Sequence, residues 1–313
     1  MMWLPTTAVL LIAALVVIVL VTQQRDGRRL RTTHLRLMLP ELPADLDELR
    51  LIFLSDLHVK RLYVSREDLL ASLREIAPDI LLLGGDYTYS SEHRLEAIDL
   101  IAALSAICRT FAVRGNTDLR HRLDCEELSR ALRSGGGALL VNDAVQLKVG
   151  DCTLEIVGID NTSERSADPK VKRIPLDSEA DLRIGMTHSP EQWQELADLE
   201  AHISVCGHTH GGQVRIPGAE ALITHRAYPR QLAAGLFRLD ERAERVPQRL
   251  IGHWKLLRLN KTPLQVPCPS GQLLYVSRGV GVNWLPVRVF CPPEMVLMEL
   301  ARDESDEDEP NDD

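Results

Sequence analysis

From residue 49 onward, short apolar runs alternate with segments whose apolar residues recur every three or four positions, and few folds accommodate that alternation. "LRLIFLSD" (49–56), "DILLLGGD" (79–86) and "TFAVRGN" (110–116) read as buried strands. Between them, "REDLLASLREIA" (66–77), stopped by Pro78, and "HRLEAIDLIAALSAI" (93–107) have helical spacing. Strand, helix, strand, helix, strand predicts a parallel sheet with helices packed on it. A further helix is expected near 124–133, after which "GALLVN", "VQLKVG" and "TLEIVGI" alternate like an antiparallel stretch. "DLRIGMTH" (181–188), "HISVCGH" (202–208), "LLYVSRG" (273–279), "VRVF" (287–290) and "MVLMEL" (295–300) add strands. Two runs of mixed strands predict an α/β chain with two sheets face to face and helices outside.

The 313 residues, 45% hydrophobic and 26% charged, fit one large domain or at most two. Nearly all of the net charge of −9 sits in residues 303–313, which carry eight acids and no base and read as a disordered solubilising tail. The near-neutral body, with 4% aromatics and no basic stripe, argues against a nucleic-acid substrate. Six scattered cysteines form no CxxC pair, which points to a reducing compartment. "RSGGGA" (133–138) lacks the Lys-Ser or Lys-Thr of a phosphate-binding loop and reads as a turn.

At the N-terminus, fourteen uninterrupted apolar residues (8–21) sit inside a 20-residue stretch from Trp3 to Thr22, which predicts a spanning helix. Arg25, Arg28, Arg29 and Arg31 follow it, so the rest of the chain is expected in the cytoplasm, behind a single-pass anchor in the inner membrane. The expected layout is an anchor (3–22), a juxtamembrane linker (23–48) with an early strand in "HLRLML", a large domain (49–302) and the tail (303–313). Within 241–262, Leu250, Trp254 and Leu257 share a helical stripe, read as a surface helix or, less simply, as a segment touching the bilayer.

The chemistry lies where strands end. Asp56 and His58 follow the first strand, Asp86 the second and Asn116 the third, while His188 closes "MTH" and His208 and His210 lie in "GHTHGG". All are metal-ligand types, and in α/β sheets sites form beyond the carboxyl ends of strands. Singly, each is better read as a hydrogen-bonded structural group, and "SDLH" as a helix cap. Seven together, from five strands, predict one site.

The order D-x-H, G-G-D, G-N-x-D, H, G-H-x-H resembles the calcineurin-like metallophosphoesterase superfamily over residues 49–300. "GHTHGGQVRIP" and "LYVSRGVG…LPVRVFCPPEMVLMEL" are similar to its membrane-anchored bacterial branch, which includes UDP-2,3-diacylglucosamine hydrolases of lipid A synthesis; 241–270 lies between those blocks like an insertion. The resemblance implies a four-layer αββα sandwich. It also implies one ion on Asp56, His58 and His210, a second on Asn116, His188 and His208, and Asp86 bridging both. Asp86, Asn116, His208 and Asp118 would be the catalytic set, with Asp118 orienting a ligand. Imidazole and carboxylate together suit Mn²⁺ first, then Fe²⁺ or Zn²⁺, over Mg²⁺ or Ca²⁺. Two such ions ~3.5–4 Å apart acidify water and clamp phosphoryl oxygens, which implies hydrolysis of a phosphate ester or anhydride.

One position departs from the pattern, because Thr117 stands where G-N-H-D carries a histidine. Threonine cannot protonate a leaving group. An alkoxide, whose conjugate acid titrates near ~15.7, needs that proton, whereas a phosphate monoester, near ~6, does not. The expected substrate is therefore a phosphoanhydride such as a lipid-linked nucleotide at the membrane, best UDP-2,3-diacylglucosamine giving UMP and a lipid sugar 1-phosphate. Arg114, Arg120 and His121 are candidates for the missing positive charge. The alternatives are hydrolysis of another phosphoester and, less simply, an inactive metal-binding scaffold; the intact ligand set argues against the latter.

Overall fold

The structure, a computed structural model, describes residues 6–25, 29–161, 174–222, 229–239, 246–257, 263–268 and 272–303. The acidic tail beyond 303 and part of the expected insertion (241–245, 258–262 and 269–270) lie outside the described residues.

The strands are β1 (Arg31–Leu39), β2 (Arg50–Leu54), β3 (Ile80–Leu83), β4 (Arg109–Ala112), β5 (Ala138–Leu139), β6 (Asp143–Val149), β7 (Cys152–Gly158), β8 (Leu182–Met186), β9 (Ile203–Cys206), β10 (Gly235–Arg238), β11 (Gln248–Gly252), β12 (Leu264–Pro267), β13 (Leu273–Val276) and β14 (Glu294–Arg302). The helices are α1 (Thr6–Arg25), α2 (Arg66–Ile76), α3 (Arg94–Ser105), α4 (Asn116–Arg120), α5 (Cys125–Ser134), α6 (Trp193–Ala197) and α7 (His253–Leu257). One seven-stranded sheet runs β12-β1-β14-β2-β3-β4-β5 and the other β11-β10-β13-β9-β8-β7-β6.

Period-two alternation explains why the sheets stack. In β2, Leu51 and Phe53 join the core between the sheets, while Ile52 and Leu54 face Leu69, Leu73 and Leu100 on the outer helices. The second sheet supplies Ile156, Ile184, Val205 and Tyr275 to the shared core and turns Val157, Cys206 and Val276 toward Leu196 of α6. Each fully buried Leu, Ile or Phe contributes about 1.5–3 kcal/mol. Local signals set the helix ends: Ser65 Oγ accepts from Asp68 N at the start of α2, Ala77 closes it at φ 49°, and the Asp124 carboxylate caps α5.

Several expectations need correction. Residues 138–139 leave the anticipated antiparallel stretch and pair parallel with β4, so only β6 and β7 form the hairpin there. "VRVF" is no strand; Val289 makes an isolated bridge to Val214. The helical stripe at 250–257 is split, because Gln248–Gly252 pairs antiparallel with β10 and only His253–Leu257 is helical. "HLRLML" extends into a nine-residue strand held between β14 and β12.

The anchor is the largest correction. Residues 6–25 do form a helix, but among the described residues no helix is long and apolar enough to cross a membrane. The uninterrupted apolar run is fourteen residues. At 1.5 Å per residue that is about 21 Å against a hydrocarbon core of ~30 Å, and the threonines that lengthened it on paper are polar. The transmembrane helix and the single-pass inner-membrane placement are therefore not supported.

α7 carries a pH prediction. His253 is buried, its Nε2 donates to Phe290 O at 2.8 Å, and its Nδ1 has no partner. Burial first, then Arg215 and Arg278, push the imidazole from 6.5 down to about 2. The unfolded chain thus takes up a proton below pH 6.5 that the folded chain refuses until about pH 2, so this stability is complete above 6.5 and is lost as pH falls. By pH 5 the loss is about 2 kcal/mol. His253→Gln, which keeps a donor but does not titrate, should show a smaller drop in urea-unfolding free energy between pH 7.5 and 5.0; an identical drop would remove His253 as its source.

Candidate metal centre

Each of the seven candidate ligands lies just beyond the carboxyl end of a strand: Asp56 and His58 after β2, Asp86 after β3, Asn116 after β4, His188 after β8, His208 and His210 after β9. Three strands belong to one sheet and two to the other, so the site straddles the seam between the sheets. All seven side chains are buried.

They gather in two groups. The ligand atoms of Asp56, His58 and His210 lie within 4.8 Å of one another, as do those of Asp86, His188 and His208. In the first group, His58 Nε2 and His210 Nε2 are 3.2 Å apart on stacked rings, and Asp56 Oδ1 is 3.5 Å from His210 Nε2. In the second, His188 Nε2 is 3.0 Å from His208 Nδ1, 3.0 Å from Asn116 Oδ1 and 3.5 Å from Asp86 Oδ1. Asp86 faces both groups, because its Oδ2 lies 3.4 Å from His58 Nε2.

The donor set fits divalent cations. His188 Nδ1 donates to Gly84 O at 2.7 Å, which leaves Nε2 with its lone pair directed at Asn116 Oδ1 and Asp86 Oδ1. Lone pairs converging on one point repel unless a positive charge lies between them. His58 and His210 repeat the pattern, Nε2 to Nε2, with neither Nδ1 partnered. Mixed imidazole and carboxylate donors of this kind suit divalent transition-metal ions.

The electrostatics reflect the crowding. Although burial favours the protonated acid, His188 and His58 hold Asp86 well below the usual carboxylate range, while burial pushes Asp56 up. Burial opposes the charged imidazole of His188, yet Asp86 raises it to about 9, so a proton takes the place at Nε2 wherever a cation does not. Burial and then Asp86 push Asp118 up to about 7, against hydrogen bonds from Gly115 and Thr88. Asp118 accepts the backbone N–H groups of Gly115, Asp86, Tyr87 and Thr88, and so pins the turn that carries Asp86 to the start of α4.

The backbone is strained here. Asp56, His58, Asp86, His208 and His210 have φ of 54°, 42°, 56°, 69° and 50°, a region that costs a non-glycine residue of order 1 kcal/mol or more. Tight connections aim these side chains inward, and hydrogen bonds such as His208 N to Asp56 Oδ2 (3.0 Å) lock them. Gly207 is needed for space, because an added Cβ would collide with Ser55 Oγ and Asp56 Oδ2. Gly207→Ala is expected to destabilise the fold by about 1–3 kcal/mol and to weaken metal retention; unchanged urea midpoint and metal content would show that the loop has slack.

Thr117 is buried, donates its N–H to Asp86 Oδ1 at 2.8 Å and has no partner for Oγ1. Of the candidates for positive charge, Arg114 is committed to a bidentate pair with Asp160, Arg120 is exposed, and His121 sits 3.4 Å from Ser91 Oγ. The structure adds residues that motif spacing did not flag. Ser55 Oγ donates to Asp56 Oδ2, Tyr89 meets His58 edge-on, and Arg61 lies 4.0 Å over the Tyr89 ring. "SD" and "DYTY" adjoin the motifs, but nothing local says which neighbours turn inward.

The model of the calcineurin-like phosphoesterase family matches residues 49–212, more than half of the chain. The chain belongs to the calcineurin-like phosphoesterases. As such it is a metal-dependent phosphoric ester hydrolase of a family that uses divalent metals. It is 28% identical to phosphodiesterase YaeI of Escherichia coli over 80% of this chain and 82% of that protein. It is 24% identical to the uncharacterized metallophosphoesterase YkoQ of Bacillus subtilis, over 83% and 86% of the two chains. It is 25% identical to UDP-2,3-diacylglucosamine pyrophosphatase LpxG of Chlamydia trachomatis, over 86% and 88%. The Asp56 and Asp86 groups of this phosphoesterase both fall within the matched region.

Proposed function

We propose that this phosphoesterase is a two-metal pyrophosphohydrolase whose substrate is a lipid-linked nucleotide, UDP-2,3-diacylglucosamine, cleaved to UMP and a lipid sugar 1-phosphate. The observation that carries the reading is Thr117, buried beside Asp86 with no acidic proton to give. A site without a leaving-group acid suits a phosphoanhydride, whose departing phosphate monoester titrates near ~6. The likeness to LpxG, a UDP-2,3-diacylglucosamine pyrophosphatase, supports the same substrate class.

In this reading Asp56, His58 and His210 would hold one divalent ion, Asn116, His188 and His208 the other, and Asp86, which faces both groups, would be shared between them. Mn²⁺ is the first expectation. When bound, such ions lower the pKa of water and stabilise charge on phosphoryl oxygens. The chain's own contribution is positional. Asp118 fixes the Asp86 turn through four backbone donors, and Ser55 and His208 N orient Asp56. Arg61 over Tyr89 gives the rim a planar cation for an anionic or aromatic group, next to Trp284, which is 66% exposed.

A second reading, hydrolysis of a different phosphodiester, is favoured by the likeness to a phosphodiesterase, YaeI. Purified protein with Mn²⁺, offered UDP-diacylglucosamine, UDP-sugars without acyl chains and bis-p-nitrophenyl phosphate, separates the two. Turnover confined to the acylated nucleotide supports the first. A glycerophosphodiester completes the panel, because its alkoxide leaving group needs a proton where p-nitrophenolate does not, and comparable rates on it would favour the second.

A further inference from the structure

Outside the metal centre, and joined to the His210–Gly212 turn through Arg215, lies a second cavity of about 170 Å³ bordered by Arg215, Arg249, Lys255, His253, Trp254 and Glu220. At ~30 Å³ per water it has room for about five or six waters, the scale of a phosphate group and too small for a nucleotide.

Its charges do not balance. Glu220 is taken by Arg249, whose Nη1 and Nη2 both donate to it. Arg278, buried nearby, is paired with Glu294 at 2.6 Å. Arg215, only 3% exposed, donates Nε to Gly211 O at 2.6 Å, and neither of its Nη groups makes a hydrogen bond among the described residues. A guanidinium so deeply buried, sharing the charge of Glu220 with Arg249 and bonded to no carboxylate itself, is costly unless something else supplies negative charge. His253, also 3% exposed, adds an unpartnered Nδ1 that can accept a hydroxyl proton. Cations and one acceptor around a small cavity match a partly protonated tetrahedral oxyanion.

We propose that this cavity is a second binding site, distinct from the metal centre, for inorganic phosphate or a phosphomonoester headgroup, held by Arg215 and Lys255 with His253 Nδ1 accepting from a P–OH. Because Arg215 also holds Gly211 O, the bound anion braces the turn that carries His210.

Isothermal titration of the full chain with inorganic phosphate, metal-loaded and again with EDTA, tests the site. One binding event should survive EDTA, weaken at least tenfold in Lys255→Gln and vanish in Arg215→Gln. The Lys255 side chain is exposed, so that variant keeps the test alive if loss of Arg215 impairs folding. Glucose 1-phosphate as a second titrant distinguishes sources: binding of both marks a headgroup site, binding of phosphate alone a free-anion site. No event in EDTA, or one unchanged in both variants, overturns the proposal. The readout is independent of hydrolysis, so it can fail while the pyrophosphohydrolase reading stands, and the reverse.

Discussion

Asp86→Asn is expected to lower turnover about 10³-fold or more and to reduce bound divalent metal, with the fold intact. The substitution preserves shape and one oxygen and removes the charge. Asp86 is the residue whose two oxygens face different imidazoles, Oδ2 toward His58 and Oδ1 toward His188. Its loss therefore affects both groups at once, unlike His210→Ala, which touches the first alone. A metal pair stabilises transition-state charge by several kcal/mol, and each 1.36 kcal/mol is tenfold in rate. Elemental analysis of purified variant and wild type, beside kcat on the best substrate, checks both parts. Turnover within tenfold of wild type at equal metal content would end the assignment of Asp86 as the shared carboxylate.

Thr117→His is expected to raise turnover of an alkyl phosphodiester about 10²-fold while changing anhydride cleavage only a few-fold. General-acid catalysis contributes roughly 10²–10⁴, and it matters only where the leaving group needs a proton. Thr117 sits in the first turn of α4, one residue after Asn116, with its N–H on Asp86. An imidazole there would stand next to Asn116 and Asp86, at the edge of the two candidate metal groups. The decisive quantity is the ratio of kcat/KM for glycerophosphodiester against UDP-diacylglucosamine. A parallel change in both would mean that Thr117 does not set leaving-group preference, and the case for an anhydride substrate would fall with it. Thr117→Val, which removes a hydroxyl that has no partner, is the matching control and should leave anhydride cleavage near wild type.

Much of the centre was legible because its signals are local. A strand announces itself by an apolar run, and the residues just past its carboxyl end are adjacent in sequence, so all seven candidates could be named before their positions were known. Other features were not local. "GALLVN" has the same alternation whichever sheet it joins, and only the parallel register of Phe111 with Ala138 placed it beside β4. The stripe of Leu250, Trp254 and Leu257 fits a helix on paper, but pairing with β10 satisfies the backbone of 248–252 as a strand instead. The N-terminal run reaches membrane length only when polar threonines are counted toward it.

Strand periodicity, the set of candidate metal-ligand side chains and the replacement at Thr117 were written in the chain itself, since each depends on neighbours a few residues away. Which imidazole meets which, the direction of each Asp86 oxygen, the positive φ of the candidate ligands and the burial of Arg215 with no carboxylate bonded to it were decided only when the two sheets closed on each other. His58 and His210 stand 152 positions apart in sequence and 3.2 Å apart in space. No local pattern encodes that distance, because burial of two sheet faces, not sequence proximity, brings such residues together.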